Sequence, residues 1–207
     1  MNSFKIYLTI ATIILIIGCG KQTENPAQFM THDFPLKVGN KWVYQVSYNS
    51  ISYLDTETVS IVNMQTLPND SVVYTINVSI KNSSNISTQY ISVKGDKIVY
   101  NSIYEDSPPF GFMLLKLPCK QGDYWTGGSP HDTTRVVSLT TTQLVNGQNY
   151  SNVYFLRRTA FSNGFNDLET YQLSPNVGLL QYNVNIFDSG SGIFRNTSST
   201  LINYQIL

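Results

Sequence analysis

Charge is scarce in this sequence. Only 13% of its 207 residues are Asp, Glu, Lys or Arg, about half the share usual in globular proteins. Thirteen basic residues balance thirteen acidic ones. With no basic surplus to neutralise phosphates, nucleic acid is not expected as a partner. Histidine occurs only at His32 and His131, and cysteine only at Cys19 and Cys119. Neither His-Glu-x-x-His nor Cys-x-x-Cys is present, and residues so scattered make a poor zinc site. No metal and no cofactor are expected. A Gly-x-Ser-x-Gly elbow is missing as well, and the neighbours His131 and Asp132 point apart rather than forming a catalytic pair. Beyond residue 17 no pattern supports a helix of three turns. What the chain has instead is Tyr at 14 positions and Phe at 10, with many β-branched residues, too much for general disorder. The length suits one or two domains.

The long apolar run comes first. Ile6 to Ile17 is shorter than the ~20 residues a spanning helix needs, and Lys5 precedes it. Met1 to Ile17 therefore reads as a secretory signal. Gly18 stands at the cleavage point and Cys19 follows. Ile16-Ile17-Gly18-Cys19 resembles a bacterial lipobox. That resemblance implies cutting between Gly18 and Cys19 and a diacylglycerol on the Cys19 sulfur, whose thiolate is the ready nucleophile. Several acyl chains anchor firmly, since each buried CH₂ is worth roughly 0.8 kcal/mol. Gly20, where aspartate would retain a lipoprotein at the inner membrane, resembles the pattern of outer-membrane lipoproteins. The expected location is the cell envelope, lipid-anchored in the outer membrane and facing the periplasm. Residues 1–18 form the signal peptide, 19–32 the lipidated cysteine and a flexible tether, and 33–207 a single β-domain. With Cys19 blocked, Cys119 has no partner for an intramolecular disulfide. It reads as a small buried hydrophobe closing the run Met113 to Cys119.

The body of the chain alternates with period two. Trp42, Tyr44, Val46 and Tyr48 share one face. Val72, Tyr74, Ile76, Val78 and Ile80 share another, as do Leu180, Tyr182, Val184 and Ile186, and then Ile202, Tyr204 and Ile206. Weaker strands are expected at Thr56–Asn63, Ser87–Val93, Lys97–Tyr104, Arg135–Leu144, Tyr150–Arg158 and Leu168–Leu173. Gly, Asn, Asp and Pro punctuate them at hairpin spacing. Longer loops are expected at Ser107–Phe112 and Gly127–Asp132. Such alternation means antiparallel strands with one wet face. The fold class is all-β: ten or eleven strands in an antiparallel meander, curled into a half-barrel, a barrel or a two-sheet sandwich.

Three phrases carry a wider resemblance. Phe34-Pro-Leu-Lys-Val-Gly-Asn-Lys-Trp-Val-Tyr44, Leu117-Pro-Cys-Lys-Gln-Gly-Asp-Tyr-Trp125 and Leu173-Ser-Pro-Asn-Val-Gly-Leu-Leu-Gln-Tyr182 resemble phrases of a loose group of uncharacterised bacterial lipoproteins. That group's opening is Phe-Pro-Leu-x-x-Gly-x-x-Trp-x-Tyr. The resemblance implies curved β-sheets in the envelope and supplies no catalytic residues. The first two phrases also echo each other, since each places Gly-(Asn/Asp)-x-Trp at the start of a strand. Glycine permits a positive φ and Asn or Asp tolerates it, so both read as turns whose tryptophan plugs the core. The rival reading makes Trp42 and Trp125 a ligand platform.

Candidate chemistry is thin. Asp55/Glu57 and Asp167/Glu169 each put two acids on one strand face, a pattern that would serve glycoside hydrolysis only if the acids met in a cleft. Arg157-Arg158 puts one guanidinium on each face; an inward arginine needs a partner or a polar cavity, so an edge strand is expected there. Tyrosines on many strands can pack a core or line a ligand groove, and Trp42, Tyr44, Trp125 and Tyr182 are the candidate ligand-face aromatics. The leading expectation is non-enzymatic binding or scaffolding in the envelope. The membrane would be met through the N-terminal lipid, with an envelope protein or a lipid as possible partner. The alternative is a carrier of a lipid or other apolar ligand in a curved-sheet groove, and the second alternative a glycan-acting enzyme. An unfilled apolar groove lined by tyrosines marks the carrier, a filled core with a bare edge the interaction module, and two converging acids the enzyme.

Overall fold

Alternating side chains place one face of every strand against a common interior. The computed structural model describes residues 31–48, 54–68, 70–102, 110–126, 132–162, 165–188 and 193–207. The expected signal peptide and nearly all of the expected tether lie outside them. The strands are β1 (Lys41–Tyr48), β2 (Leu54–Thr66), β3 (Val72–Ile80), β4 (Ile86–Lys94), β5 (Lys97–Ser102) and β6 (Phe110–Lys116). They continue with β7 (Tyr124–Thr126), β8 (Thr133–Val145), β9 (Gln148–Ser162), β10 (Phe165–Ser174), β11 (Gly178–Asp188) and β12 (Ile193–Gln205). A 3₁₀ turn at Thr31–Asp33 is the only helical element among the described residues. The chain is all-β, and every pairing is antiparallel.

Sheet order is β6-β5-β4-β3-β2-β1-β12-β11-β10-β9-β8-β7. The chain starts in the middle, runs out to one edge, crosses to the other and returns. A flat sheet of this size would be about 50 Å wide at ~4.8 Å per strand. Yet residues 117–123 alone join its two edges, and such a link spans at most about 28 Å. The sheet must therefore curl, and β6 comes to lie against β7 and β8. The result is a nearly closed barrel, one of the forms the alternation allows.

Five β-bulges sharpen the curl. The extra residues are Val62, Leu114, Val137, Leu180 and Ile202. Each belongs to a pair of adjacent aliphatics, such as Ile61-Val62 or Val136-Val137. In those two pairs, one member is buried and the bulged one is exposed.

The structure differs from the expected strands in three places. There are twelve, because β6 and the three-residue β7 carry too few alternating positions to register. Phe110–Phe112, expected in a loop, belongs to β6. β12 begins at Ile193, well before Ile202, because its inward positions include Thr197 and Ser199 and so do not alternate in polarity.

The two Gly-(Asn/Asp)-x-Trp phrases form one structure twice. In the first, Asn40 N–H donates to the Lys37 carbonyl at 3.1 Å, Gly39 N–H to the Ile61 carbonyl at 2.9 Å, and Ile61 N–H to the Asn40 carbonyl at 3.0 Å. In the second, Asp123 donates to Lys120 at 3.1 Å, Gly122 to Val136 at 2.9 Å, and Val136 to Asp123 at 2.9 Å. The φ angles of Gly39 and Gly122 are 96° and 92°, a region that favours glycine. In both copies the bulge follows one residue after the strand-partner aliphatic, at Val62 and Val137. Strands β1–β6 and β7–β12 thus repeat a single plan. Both turns sit at the same end of the barrel. Trp42 and Trp125 belong to one buried cluster with Ile61, Ile98, Leu115, Leu117, Cys119, Val136, Leu156 and Leu180. Trp42 also donates its indole N–H to the Val177 carbonyl at 2.6 Å.

Candidate functional site

Moving along the strands from the tryptophan end, the filling gives way to a cavity of about 420 Å³. Five tyrosines line it: Tyr44 and Tyr48 from β1, Tyr100 from β5, Tyr171 from β10 and Tyr182 from β11. Val46, Val59, Val78, Ile91, Leu173 and Leu179 supply aliphatic wall. The polar wall is Glu57, Gln89, Thr197 and Ser199. The hollow follows from side-chain size. On β12, Ser199 stands opposite Val46 and Thr197 opposite Tyr48, and neither is long enough to reach across the barrel.

Three of the five tyrosine hydroxyls donate to acceptors outside the cavity or along its wall. Tyr44 donates to the Leu179 carbonyl at 3.0 Å. Tyr100 donates to Gln89 Oε1 and Tyr171 to Glu169 Oε2. The Tyr171 and Tyr182 rings stack with centroids 4.9 Å apart and an interplanar angle of 27°. Burial raises the pKa of Tyr44, Tyr171 and Tyr182 well above the ordinary phenol value, so all three remain neutral.

Glu57 lies on β2 directly across from Tyr44. Burial pushes its carboxyl pKa up from the ordinary range. Its charge in turn adds to the upward shifts that burial imposes on Tyr44 and Tyr48. Among the described residues no hydrogen bond or ion pair reaches its carboxyl.

Arg158 corrects an expectation. It is not on an edge strand: β9 is paired on both sides, by β8 and β10. Arg158 points inward while Arg157 is exposed. Its guanidinium donates to both Asp132 oxygens at 2.8 Å and to Glu169 Oε1 at 2.7 Å. Burial works against the charge, but the two carboxylates more than offset it and the pKa is raised. The partner an inward arginine needs was in the sequence, at positions 26 and 11 residues away along the chain.

The candidate ligand-face aromatics separate into two pairs. Tyr44 and Tyr182 line the cavity. Trp42 instead lines a second space of about 80 Å³, whose walls also include Phe34 and Leu36. Trp125 is buried in the packed end and lines neither. Of the paired acids, Asp55 accepts from Thr56 N–H at 2.7 Å and Asn82 Nδ2 at 3.3 Å. Glu169 is held by Arg158 and Tyr171. Glu57 is the one acid on the cavity wall among the described residues. Cys119 is buried, and burial followed by Asp123 pushes its thiol pKa up to about 12, leaving it inert. Gly18, Cys19 and His131 lie outside the described residues, and no metal-binding cluster occurs within them.

No protein-family model and no curated protein sequence matches this chain. Solved structures do. A candidate lipoprotein from Parabacteroides distasonis ATCC 8503 is 11% identical, with a TM-score of 0.51 over 86% of this chain and 99% of that one. A candidate exported protein with a YmcC-like fold from Bacteroides fragilis NCTC 9343 is also 11% identical, at 0.49 over 86% and 100%. LprF from Mycobacterium bovis is 10% identical, at 0.31 over 81% and 88%. The first likeness establishes a shared fold.

Proposed function

We propose that this chain is a lipid-anchored lipoprotein of the bacterial envelope whose barrel binds an apolar small molecule without chemical turnover. The lipobox-like Ile16-Ile17-Gly18-Cys19 supports the anchor on Cys19, and Gly20 supports the outer membrane, facing the periplasm. The fold shared with a candidate lipoprotein of Parabacteroides distasonis is in keeping with it.

The cavity carries the binding reading. Protein interiors leave few voids larger than a water, whereas ligand pockets measure roughly 300–1,000 Å³ and are apolar with a few placed polar groups. This cavity has that size and that lining. Between a filled core and an unfilled, tyrosine-lined groove, the observation favours the groove, and so favours binding a small molecule over scaffolding alone. A single wall acid among the described residues favours binding over glycoside hydrolysis, which uses two flanking carboxylates.

The test uses the mature chain, residues 19–207, with Cys19→Ser so that only the lipid is missing. The neutral fluorophore N-phenyl-1-naphthylamine should bind saturably. Ser199→Phe, which pushes a ring into the hollow, should weaken it at least about tenfold while the circular dichroism spectrum stays β. Absence of saturable binding, or equal binding by a folded Ser199→Phe protein, would sink the reading.

A further inference from the structure

The net charge of zero hides a sorting of charge. Asp55, Asp132, Asp167 and Glu169 are buried and Glu57 is half-buried. Every described lysine and arginine except Arg158 is exposed. Among the described residues the barrel interior is therefore acidic, and the single base there is already occupied by Asp132 and Glu169. Asp55 is likewise satisfied, by a backbone N–H and by Asn82. Glu57 is different. It stands on the cavity wall, with no hydrogen bond or ion pair among the described residues.

We infer that the occupant of the cavity is an amphiphile with an ammonium head, its charge set against Glu57 and the tyrosine rings and its chain along the aliphatic wall. The inference rests on the apolar-ligand reading above and names the ligand's chemical class. A buried carboxylate needs a compensating cation or donor. A carboxylate- or phosphate-headed lipid would find the reverse, a like charge and, among the described wall residues, no base. Tyrosine rings add a second attraction, because their faces draw cations, and aromatic cages are a recurrent solution for alkylammonium ligands. Five tyrosines share this one cavity with one unpaired carboxyl.

Three probes of equal chain length separate the possibilities: decyltrimethylammonium, 1-decanol and decanoate, the two ions below their micellar concentrations and the alcohol below its solubility limit, displacing the naphthylamine fluorophore from the mature Cys19→Ser chain. The ammonium should bind about tenfold tighter than decanol, with decanoate weakest. Glu57→Gln should shrink the ammonium advantage over decanol to less than about threefold. Should that variant fail to fold, Tyr48 gives an independent arm: Tyr48→Phe keeps the preference and Tyr48→Leu reduces it. Decanol binding as tightly as the ammonium, decanoate binding best, or a preference untouched by both Glu57→Gln and Tyr48→Leu would overturn the ammonium inference while leaving the apolar cavity standing. Failure of all three probes to displace a bound fluorophore would overturn the ammonium inference alone, whereas absence of saturable fluorophore binding would overturn both.

Discussion

At the tryptophan end, the inward residues Ile61, Ile98, Leu115, Val136, Leu156 and Leu180 are each no more than 2% exposed. A few residues along several of the same strands, the inward positions hold Glu57, Tyr100, Tyr182 and Ser199 around an open space. The bulges at Val62, Leu114, Val137 and Leu180 fall at the tryptophan end, yet in both regions alternate side chains point in. What differs is whether the inward side chains are long and apolar enough to meet across the barrel. One end does the holding together, and the other is thereby free to remain unfilled. Cores lose stability when a void is opened in them, so a cavity persists only where packing elsewhere carries the fold.

Mutations should show this division directly. The largest effect is expected from Trp42→Ala. It removes a buried indole and its hydrogen bond to Val177, at a cost of about 3–5 kcal/mol, measured by urea unfolding. Tyr48→Ala, at the hollow end, should cost less than half as much. Equal losses at the two positions would mean that the open end also carries the fold.

Arg158→Met comes next. It strands Asp132 and Glu169 as buried acids without their cation, a change worth about 3 kcal/mol. The comparison sharpens when Asp132→Asn and Glu169→Gln are added to it. The triple change should regain most of the lost stability, since a neutral polar cluster no longer needs the charge. No recovery would show that the guanidinium supports the fold through packing instead.

The smallest effect is the pH dependence of Glu57. Its folded pKa is raised by burial above the unfolded value. Its favourable contribution is therefore complete below the ordinary carboxylate pKa and is lost as pH rises through the folded value. Glu57→Gln should match the parent Tm in acid and exceed it near neutrality. A parallel offset at every pH would assign the effect to something other than ionisation.

Much of the barrel was legible in the sequence, and most of the cavity was not. Alternation marked β1, β3 and β11 because their inward residues are apolar and their outward ones polar. The Gly-(Asn/Asp)-x-Trp echo foretold two turns, and both are there, bond for bond. Period two says which residues share a strand face; it does not say which faces meet. Tyr44 and Tyr182 are separated by more than a hundred positions in the chain and reach one space only because β1, β12 and β11 are neighbours. A tyrosine that lines a void is the same letter as one that fills a core, so Tyr48, Tyr100 and Tyr171 could not be told apart from packing residues. Arg158 escaped for a related reason, since its partners come from β10 and from the residue just before β8. The clearest overlooked signals were local. Doubled aliphatics such as Ile61-Val62 interrupt the alternation at each bulge, and Thr197 and Ser199 interrupt it where the wall recedes.

The strand order has a mechanical consequence. Considered as a hoop, the barrel has two places where it could come apart. Between β1 and β12 the chain is not continuous, yet a ladder of hydrogen bonds runs across, and Leu207 N–H is tied to Asn40 Oδ1 at 3.0 Å. Between β6 and β7 no ladder is described, yet the polypeptide itself crosses, held by Leu117 N–H on the Asp96 carbonyl at 2.7 Å. Each kind of bond fastens the joint that the other leaves open. The two six-stranded repeats are thus clasped on both sides, and neither can swing away without breaking a full strand pairing or the chain.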